Sequence, residues 1–426
     1  MKEKTIIALS SAHGRGAISV IRLSGEESVE MLGQLFKTKN KTEDRKALYG
    51  VIDTGTVKDD VVAVVYFAPA SYTGENVVEI FCHGSPVIVE NIIRAFIKIG
   101  ARQAEKGEFT RRALENNKLG LTEAEGIIDL IDAQSESAVK AAYNLAGGKL
   151  AEKIAELKEK TTAITAELNV ALDYPEEDLE VETIEQCGKK CEQIIEEAEK
   201  LAKTYENGKK AKDGVNVVIV GKPNEGKSTL LNALVGYDRA IVTDEAGTTR
   251  DTVEESYIYE GLRFNVTDTA GIRKETSGKA ERLGIERSVT AAKSADVIIT
   301  LDETMAERKN AIKVQTKADL GLKSEEKINV SGKTKEGIEE LKRKIFEKAD
   351  TDTSGEVMLT NLRQYESLVR AIDALKYALS SVREKREPEL ITVDLLEAIS
   401  ALGSVDGATA TADVVNAVFS RFCVGK

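Results

Sequence analysis

Val215-Asn216-Val217-Val218-Ile219-Val220, then Gly221-Lys222-Pro223-Asn224-Glu225-Gly226-Lys227-Ser228, then Thr229-Leu230-Leu231-Asn232-Ala233-Leu234, is the stretch that decides how the centre of this chain folds. A nearly unbroken apolar run reads as a strand buried on both faces, and the leucines beyond the loop have helical spacing. The loop between them satisfies G-x-x-x-x-G-K-S in the strand-to-helix context that the motif requires. Its glycines let successive backbone amides turn towards a phosphate at the start of the helix. Lys227 is placed to reach the β- and γ-phosphates, and the Ser228 hydroxyl to ligate magnesium.

Further segments follow in the order that a guanine-nucleotide domain needs. Gly247-Thr248-Thr249-Arg250-Asp251 brings Thr249 as a candidate for magnesium and the γ-phosphate. Asp268-Thr269-Ala270-Gly271 follows the strand-like Phe264-Asn265-Val266-Thr267; Asp268 suits the metal's water shell and the Gly271 amide the γ-phosphate. In Thr316-Lys317-Ala318-Asp319, the Asp319 carboxylate matches the two N–H donors on the guanine edge and the Lys317 stem covers the base. Ser331-Gly332-Lys333 closes the base pocket.

Outward from this core, 426 residues predict two or three domains. Residues 1–117 alternate short β-rich runs with amphipathic segments, which predicts an α+β domain. Residues 118–212 carry apolar positions at helical spacing among many charges, ending in the linker-like Thr204 to Gly214. The α/β domain covers 213–350, and Asp350 to Gly355 is a second polar break. Residues 351–426 return to helical periodicity, so the α/β domain reads as inserted into an all-α domain.

The chain is 42% hydrophobic and 31% charged and has no apolar run long enough to span a bilayer. Its N-terminus lacks a signal peptide's pattern, so a cytoplasmic location is expected. Four cysteines (Cys82, Cys187, Cys191, Cys423) and two histidines offer neither a disulfide framework nor a zinc site. A net charge of -12 argues against a broad basic nucleic-acid face.

The five ordered nucleotide segments resemble those of translation-factor-related GTPases of the TrmE-Era-EngA-like group, with a Ras-like α/β domain. Ser71-Tyr72-Thr73-Gly74-Glu75, Cys82-His83-Gly84, Gly107-Glu108-Phe109-Thr110-Arg111-Arg112-Ala113 and Cys423-Val424-Gly425-Lys426 narrow the resemblance to the MnmE (TrmE) family of tRNA-modification GTPases. The resemblance covers essentially the whole chain. It implies a nucleotide set of Asn224, Glu225, Gly226, Lys227, Ser228 and Thr229; Thr243, Asp244, Glu245, Ala246, Gly247, Thr248 and Thr249; Asp268, Thr269, Ala270 and Gly271; and the two base-binding segments with Thr316, Lys317, Asp319, Ser331, Gly332 and Lys333. Ile272 stands where a Ras-like enzyme has its water-positioning glutamine, and the resemblance moves that role to Glu281. It also implies potassium, held by Asn224, Thr243, Glu245 and Thr248, in place of an arginine finger, in a homodimer whose nucleotide domains meet.

For the N-terminal domain the resemblance implies a folate-binding-like fold, with Arg22, Glu79, Lys118 and Lys426 holding 5-formyl- or 5,10-methylene-tetrahydrofolate. Glu79 can accept from the pterin's N–H groups, and cations suit the folate carboxylates. Cys423 is a possible one-carbon site or a small packing residue, and Cys82 and His83 read as structural. The implied function is GTP-driven aminomethyl-type modification (carboxymethylaminomethyl or aminomethyl) at C5 of the tRNA wobble uridine. Its implied partner is the flavoprotein MnmG (GidA), in a heterotetramer that brings FAD from the partner alone. The alternative is a GTP-dependent ribosome-assembly or RNA-binding switch, which ought to carry a basic appendage.

Three positions depart from the family's pattern. Glu225 replaces a small residue and sets a carboxylate near the phosphates. Thr316 replaces asparagine, which predicts weaker bracing of the loop, and Gly332 replaces alanine, which predicts a mild effect.

Overall fold

The computed structural model describes residues 4–173, 177–236, 254–268, 293–301 and 305–426. They form two compact units, Met1–Ile128 with Gly403–Lys426, and Asp129–Leu402. No described helix is long and apolar enough to cross a membrane.

The first unit is built on β1 (Ile6–Leu9), β2 (Ile18–Ser24), β3 (Phe36–Lys37), β4 (Leu48–Asp53), β5 (Lys58–Tyr66), β6 (Val77–His83) and β7 (Arg102–Gln103). These described strands form one sheet in the order β3-β4-β5-β6-β2-β1-β7. Pairing is antiparallel throughout except for β7 against β1. In β5 the buried residues Val61, Ala63 and Val65 alternate with less buried ones, the period-two signature of a sheet covered on one face. Helices α1 (Ser28–Leu35) and α2 (Pro86–Lys98) supply that cover, so Met31, Leu32, Ile92 and Phe96 share a core with Ile21, Leu23, Val65, Val78 and Ile80. Each such side chain contributes about 1.5–3 kcal/mol by leaving water.

A smaller cluster joins Ile6, Ala8, Ala104 and Phe109, the last from α3 (Glu108–Glu115), with Tyr72 and Val424 packed against it. Leu121, Ala124 and Ile128 of α4 (Leu121–Asp132) pack with Val418, Phe419 and Phe422, whose two rings stack 5.3 Å apart. Residues 412–426 therefore lie against the same unit as β1.

In the second unit, α5 (Glu136–Ala146), α6 (Lys149–Asp173), α7 (Glu177–Ala202) and α8 (Tyr205–Asp213) precede a second sheet. That sheet comprises β8 (Val215–Val220), β9 (Glu254–Tyr259), β10 (Leu262–Asp268), β11 (Val297–Thr300), β12 (Ala311–Gln315) and β13 (Ile328–Asn329), in the order β13-β12-β11-β8-β10-β9. β8 is parallel to both β10 and β11, so the chain switches sides across it, and in open α/β sheets ligands bind beyond the strand ends at such a point. α9 (Lys227–Val235) and helix Ile338–Ala349 pack on this sheet through Leu230, Leu234, Leu341 and Ile345. Helices Leu362–Arg383 and Pro388–Asp406 restore the helical periodicity read in the sequence. The architecture is thus an α+β unit, an all-α part and an inserted α/β domain, as the sequence predicts. One local reading changes: the polar stretch from Thr204 to Gly214, which looks like a linker, is largely the helix α8.

Candidate functional site

The loop after β8 is tied at several points. Asn224 takes a left-handed backbone conformation (φ +66°), and Gly226 caps α9. Lys227 is buried, and its ammonium donates to the carbonyls of Gly221 (2.8 Å) and Lys222 (2.7 Å), which bends the chain around it. Ser228 and Thr229 lie in the first turn of α9, where the helix dipole favours an anion.

The Thr316–Asp319 segment, which the sequence assigns to the base as an expectation, reaches this loop directly. The Thr316 hydroxyl donates to the Glu225 carbonyl at 2.5 Å, and the Lys317 ammonium to the Asn224 carbonyl at 2.9 Å. Thr316 thus ties to the loop through its hydroxyl. Ser331, fully buried, donates its hydroxyl to Asp319 Oδ1 at 2.7 Å and so orients the carboxylate, which is itself exposed. Ala318 N–H donates to the Val330 carbonyl at 3.2 Å, stitching the two base segments together. Lys333 is exposed, and its backbone N–H donates to the Ser331 hydroxyl at 3.3 Å. Gly332 sits against α9, with no room for a side chain beside Thr229.

Asp268 ends β10 in register with Ile219, one residue before β8 ends. Thr243, Asp244, Glu245, Ala246, Gly247, Thr248, Thr249, Thr269, Ala270, Gly271 and Glu281 lie outside the described residues. The phosphate loop and both base segments are therefore brought together, whereas the switch-region expectations stand on the sequence alone.

In the first unit, Arg22 and Glu79 face each other across β2 and β6. Arg22 Nε and Nη2 donate to Glu79 Oε1 at 2.9 and 2.7 Å. The guanidinium lies over the rings of Tyr72 (5.4 Å) and Phe109 (5.7 Å). The Tyr66 hydroxyl donates to Glu79 Oε2 at 3.4 Å. Burial, with Arg22 adding to it and Glu79 opposing it, pushes the Lys426 ammonium below the usual lysine value. Lys118 is exposed, and its ammonium donates to the Pro69 carbonyl at 3.0 Å. Three of the four residues expected to hold folate thus share one electrostatic environment, and the ammonium of the fourth, Lys118, reaches Pro69 on the segment that leads to Tyr72.

Tyr66, Tyr72 and Phe109 join this set only in the folded chain. Tyr72 and Phe109 sit inside quoted motifs, and the alternation along β5 sends Tyr66 away from the buried face. Cys423 is exposed, with its carbonyl accepting from Gly107 N–H at 3.3 Å. Cys82 is buried; its thiol donates to the Ser19 carbonyl at 3.6 Å, and burial, with Asp59 second, pushes it up to about 11. His83 Nδ1 lies 2.7 Å from Asp59 Oδ1.

The family motifs are largely a scaffold. The Arg112 guanidinium, 2% exposed, binds both Glu75 oxygens (3.1 and 2.9 Å) and the Lys4 carbonyl (2.9 Å). Ser24 donates to Glu75 at 2.6 Å, and Asn116 to the Thr73 carbonyl at 2.7 Å.

Comparison with known proteins covers the chain from end to end. The family model for the GTP-binding protein TrmE N-terminus matches residues 5–118, and that for the MnmE helical domain matches residues 121–423. The tRNA modification GTPase MnmE of Thermotoga maritima is 38% identical over 99% of this chain and 100% of its own. Those of Aquifex aeolicus (38%, 99% of each chain) and Clostridioides difficile (36%, 100% of this chain and 99% of that one) are similar. Among solved structures, the G domain of the T. maritima FeoB iron transporter is 27% identical over 32% of this chain and 99% of that one, with a TM-score of 0.24. With both family models matched in order and relatives aligned over their whole length, the chain belongs to the MnmE (TrmE) family.

Proposed function

We propose that this member of the family, a GTPase, uses GTP hydrolysis to drive aminomethyl-type modification at C5 of the tRNA wobble uridine, working as a homodimer with a flavoprotein partner of the MnmG kind. The observation that carries the nucleotide part is the joining of the base segment to the phosphate loop through Thr316 and Lys317. With these bonds, the Asp319 carboxylate for a guanine edge and the phosphate-wrapping amides belong to one braced assembly. Ser331 holds Asp319, which disfavours an adenine edge because adenine lacks the paired donors.

The Ser228 hydroxyl and the Asn224 side chain are oxygen ligands of the type that magnesium and potassium take, with Thr249 for magnesium and Thr243, Glu245 and Thr248 for potassium completing the two sets in this reading. Bound there, the cations supply neutralisation of charge on the phosphates. Lys227 holds the phosphates and Glu281 orients the attacking water. In the first unit the donor set fits a reduced folate: Glu79 accepts from pterin N–H groups, the half-buried Tyr72 offers an aromatic ring, and Arg22, Lys118 and Lys426 suit the carboxylates. The folate supplies a one-carbon unit, and Cys423, exposed at its edge, serves as a small packing residue.

Nucleoside analysis of tRNA from a deletion strain tests this function; an unchanged wobble uridine sinks it. Hydrolysis is expected to run markedly faster in potassium than in sodium, and Glu281→Ala to keep GTP binding while losing turnover. Equal rates in the two salts remove the potassium assignment.

A further inference from the structure

Glu225 brings a carboxylate into a loop meant for phosphate, and two effects of opposite sign compete there. A carboxylate turned towards a triphosphate repels it. A carboxylate bonded to the loop's own backbone preforms the loop and lowers the ordering cost of binding.

The geometry favours the second effect. Glu225 Oε2 accepts from the Lys222 N–H at 2.6 Å, and the Glu225 N–H reaches back to the Lys222 carbonyl at 3.4 Å, so residues 222 and 225 close a ring across the loop's first bend. The carboxylate lies on the Gly221 side, where a Cβ on that glycine would sit 2.5 Å from Oε2. The Glu225 carbonyl holds the Thr316 hydroxyl at 2.5 Å, and the neighbouring Asn224 carbonyl holds Lys317 at 2.9 Å. The side chain and the backbone of one residue thus connect the start of the loop to the base-recognition segment.

We infer that Glu225 is a positioning residue: its carboxylate staples the phosphate loop at Lys222, and through that staple holds Asn224 and the loop amides in place for the nucleotide. The inference rests on the GTP reading of this loop. Its content is that the side chain's bond to the Lys222 N–H strengthens nucleotide binding and outweighs repulsion between the carboxylate and the phosphates.

Fluorescent GDP and GTP analogues titrated into the full chain and into Glu225→Ala and Glu225→Gln provide the test. Glu225→Ala is expected to weaken both nucleotides about five- to tenfold, the worth of one partly exposed charge-assisted hydrogen bond, and Glu225→Gln, whose amide oxygen also accepts from Lys222, to stay within about twofold of the parent. Hydrogen exchange at the Lys222 amide should speed up in the alanine variant and stay slow in the glutamine variant, which a loss of charge alone does not produce. Tighter GTP binding by both variants means that repulsion dominates and overturns the inference. Parental binding with unaltered variants also overturns it, alone. A parent chain that binds neither nucleotide overturns the GTP reading and the inference with it.

Discussion

Gly332 shows how far one atom matters where the Ser331–Lys333 loop meets α9. The sequence makes glycine in place of alanine look mild, yet a Cβ here would lie 2.8 Å from both Thr229 Cγ2 and the Thr229 carbonyl. The carbonyl belongs to the backbone of α9 and cannot rotate away, so the Ser331–Lys333 loop must lift instead. Gly332→Ala is expected to weaken GDP binding about fivefold or more, at the low end of what overpacking costs, with little change in melting temperature. A titration that finds the parental affinity would mean the loop shifts freely. At this scale the sequence is a good guide to residue type and a poor one to direction. Lys227, Asp319 and Ser331 were legible because their spacing after a buried strand leaves one arrangement. The inward turn of Glu225 and the seat of Gly332 on α9 were not, because both depend on side chains that meet only after folding.

Elements separate along the same line. The strand β8 and the long helices were legible from periodicity, whereas α8 was hidden by its composition. Asn207, Gly208 and four lysines between Lys203 and Lys212 look like a linker. Yet Tyr205 stacks on Tyr365 with ring centroids 4.6 Å apart, Ala211 is buried against Ala141 and Met358, and the Lys210 ammonium donates to the Ala349 carbonyl at 2.8 Å. Tertiary contacts override weak local propensity there. In α6 the buried stripe Leu150, Ile154, Leu157, Ile164 and Leu168 carries the packing. Leu157→Ala should therefore cost about 2–5 kcal/mol, read as a lower denaturant midpoint, and a change below about 1 kcal/mol would show that the seam collapses around the gap. At the start of α3, burial opposes ionisation of Glu108, but the Arg102 guanidinium and the Glu105 N–H outweigh it and hold the carboxyl below its usual 4.5. A lowered folded-state pKa adds stability that is present above 4.5 and lost as pH falls through the folded value. Glu108→Gln should thus be less stable than the parent at neutral pH, with the gap closing in acid; a gap that holds steady below pH 4.5 would remove the carboxylate from the account.

At the scale of the whole molecule, residues 423–426 complete the first unit although more than 400 positions separate them from β1. Val424 packs on Ile6, Ala8 and Phe109 and bridges to Lys106. Ser10 donates its hydroxyl to the Gly425 carbonyl at 2.9 Å. Gly425 has φ +105°, and a Cβ there would fall 2.1 Å from the Leu9 carbonyl, so no other residue fits without displacing the segment. Nothing in the local pattern of these residues points to β1, since contacts this distant leave no periodic trace; only the resemblance pointed to Lys426. The tight seat of Gly425 sets Lys426 where burial and the charges of Arg22 and Glu79 act on its ammonium. Deleting residues 423–426 is therefore expected to abolish binding of formyl-tetrahydrofolate in calorimetry while leaving GDP affinity at the parental value, and Gly425→Ala, which only displaces the lysine, to weaken folate binding in the same direction. Parental folate affinity in the truncated chain would take Lys426 out of the site, and a parallel loss of GDP binding would mean that the segment supports the molecule as a whole instead of one ligand.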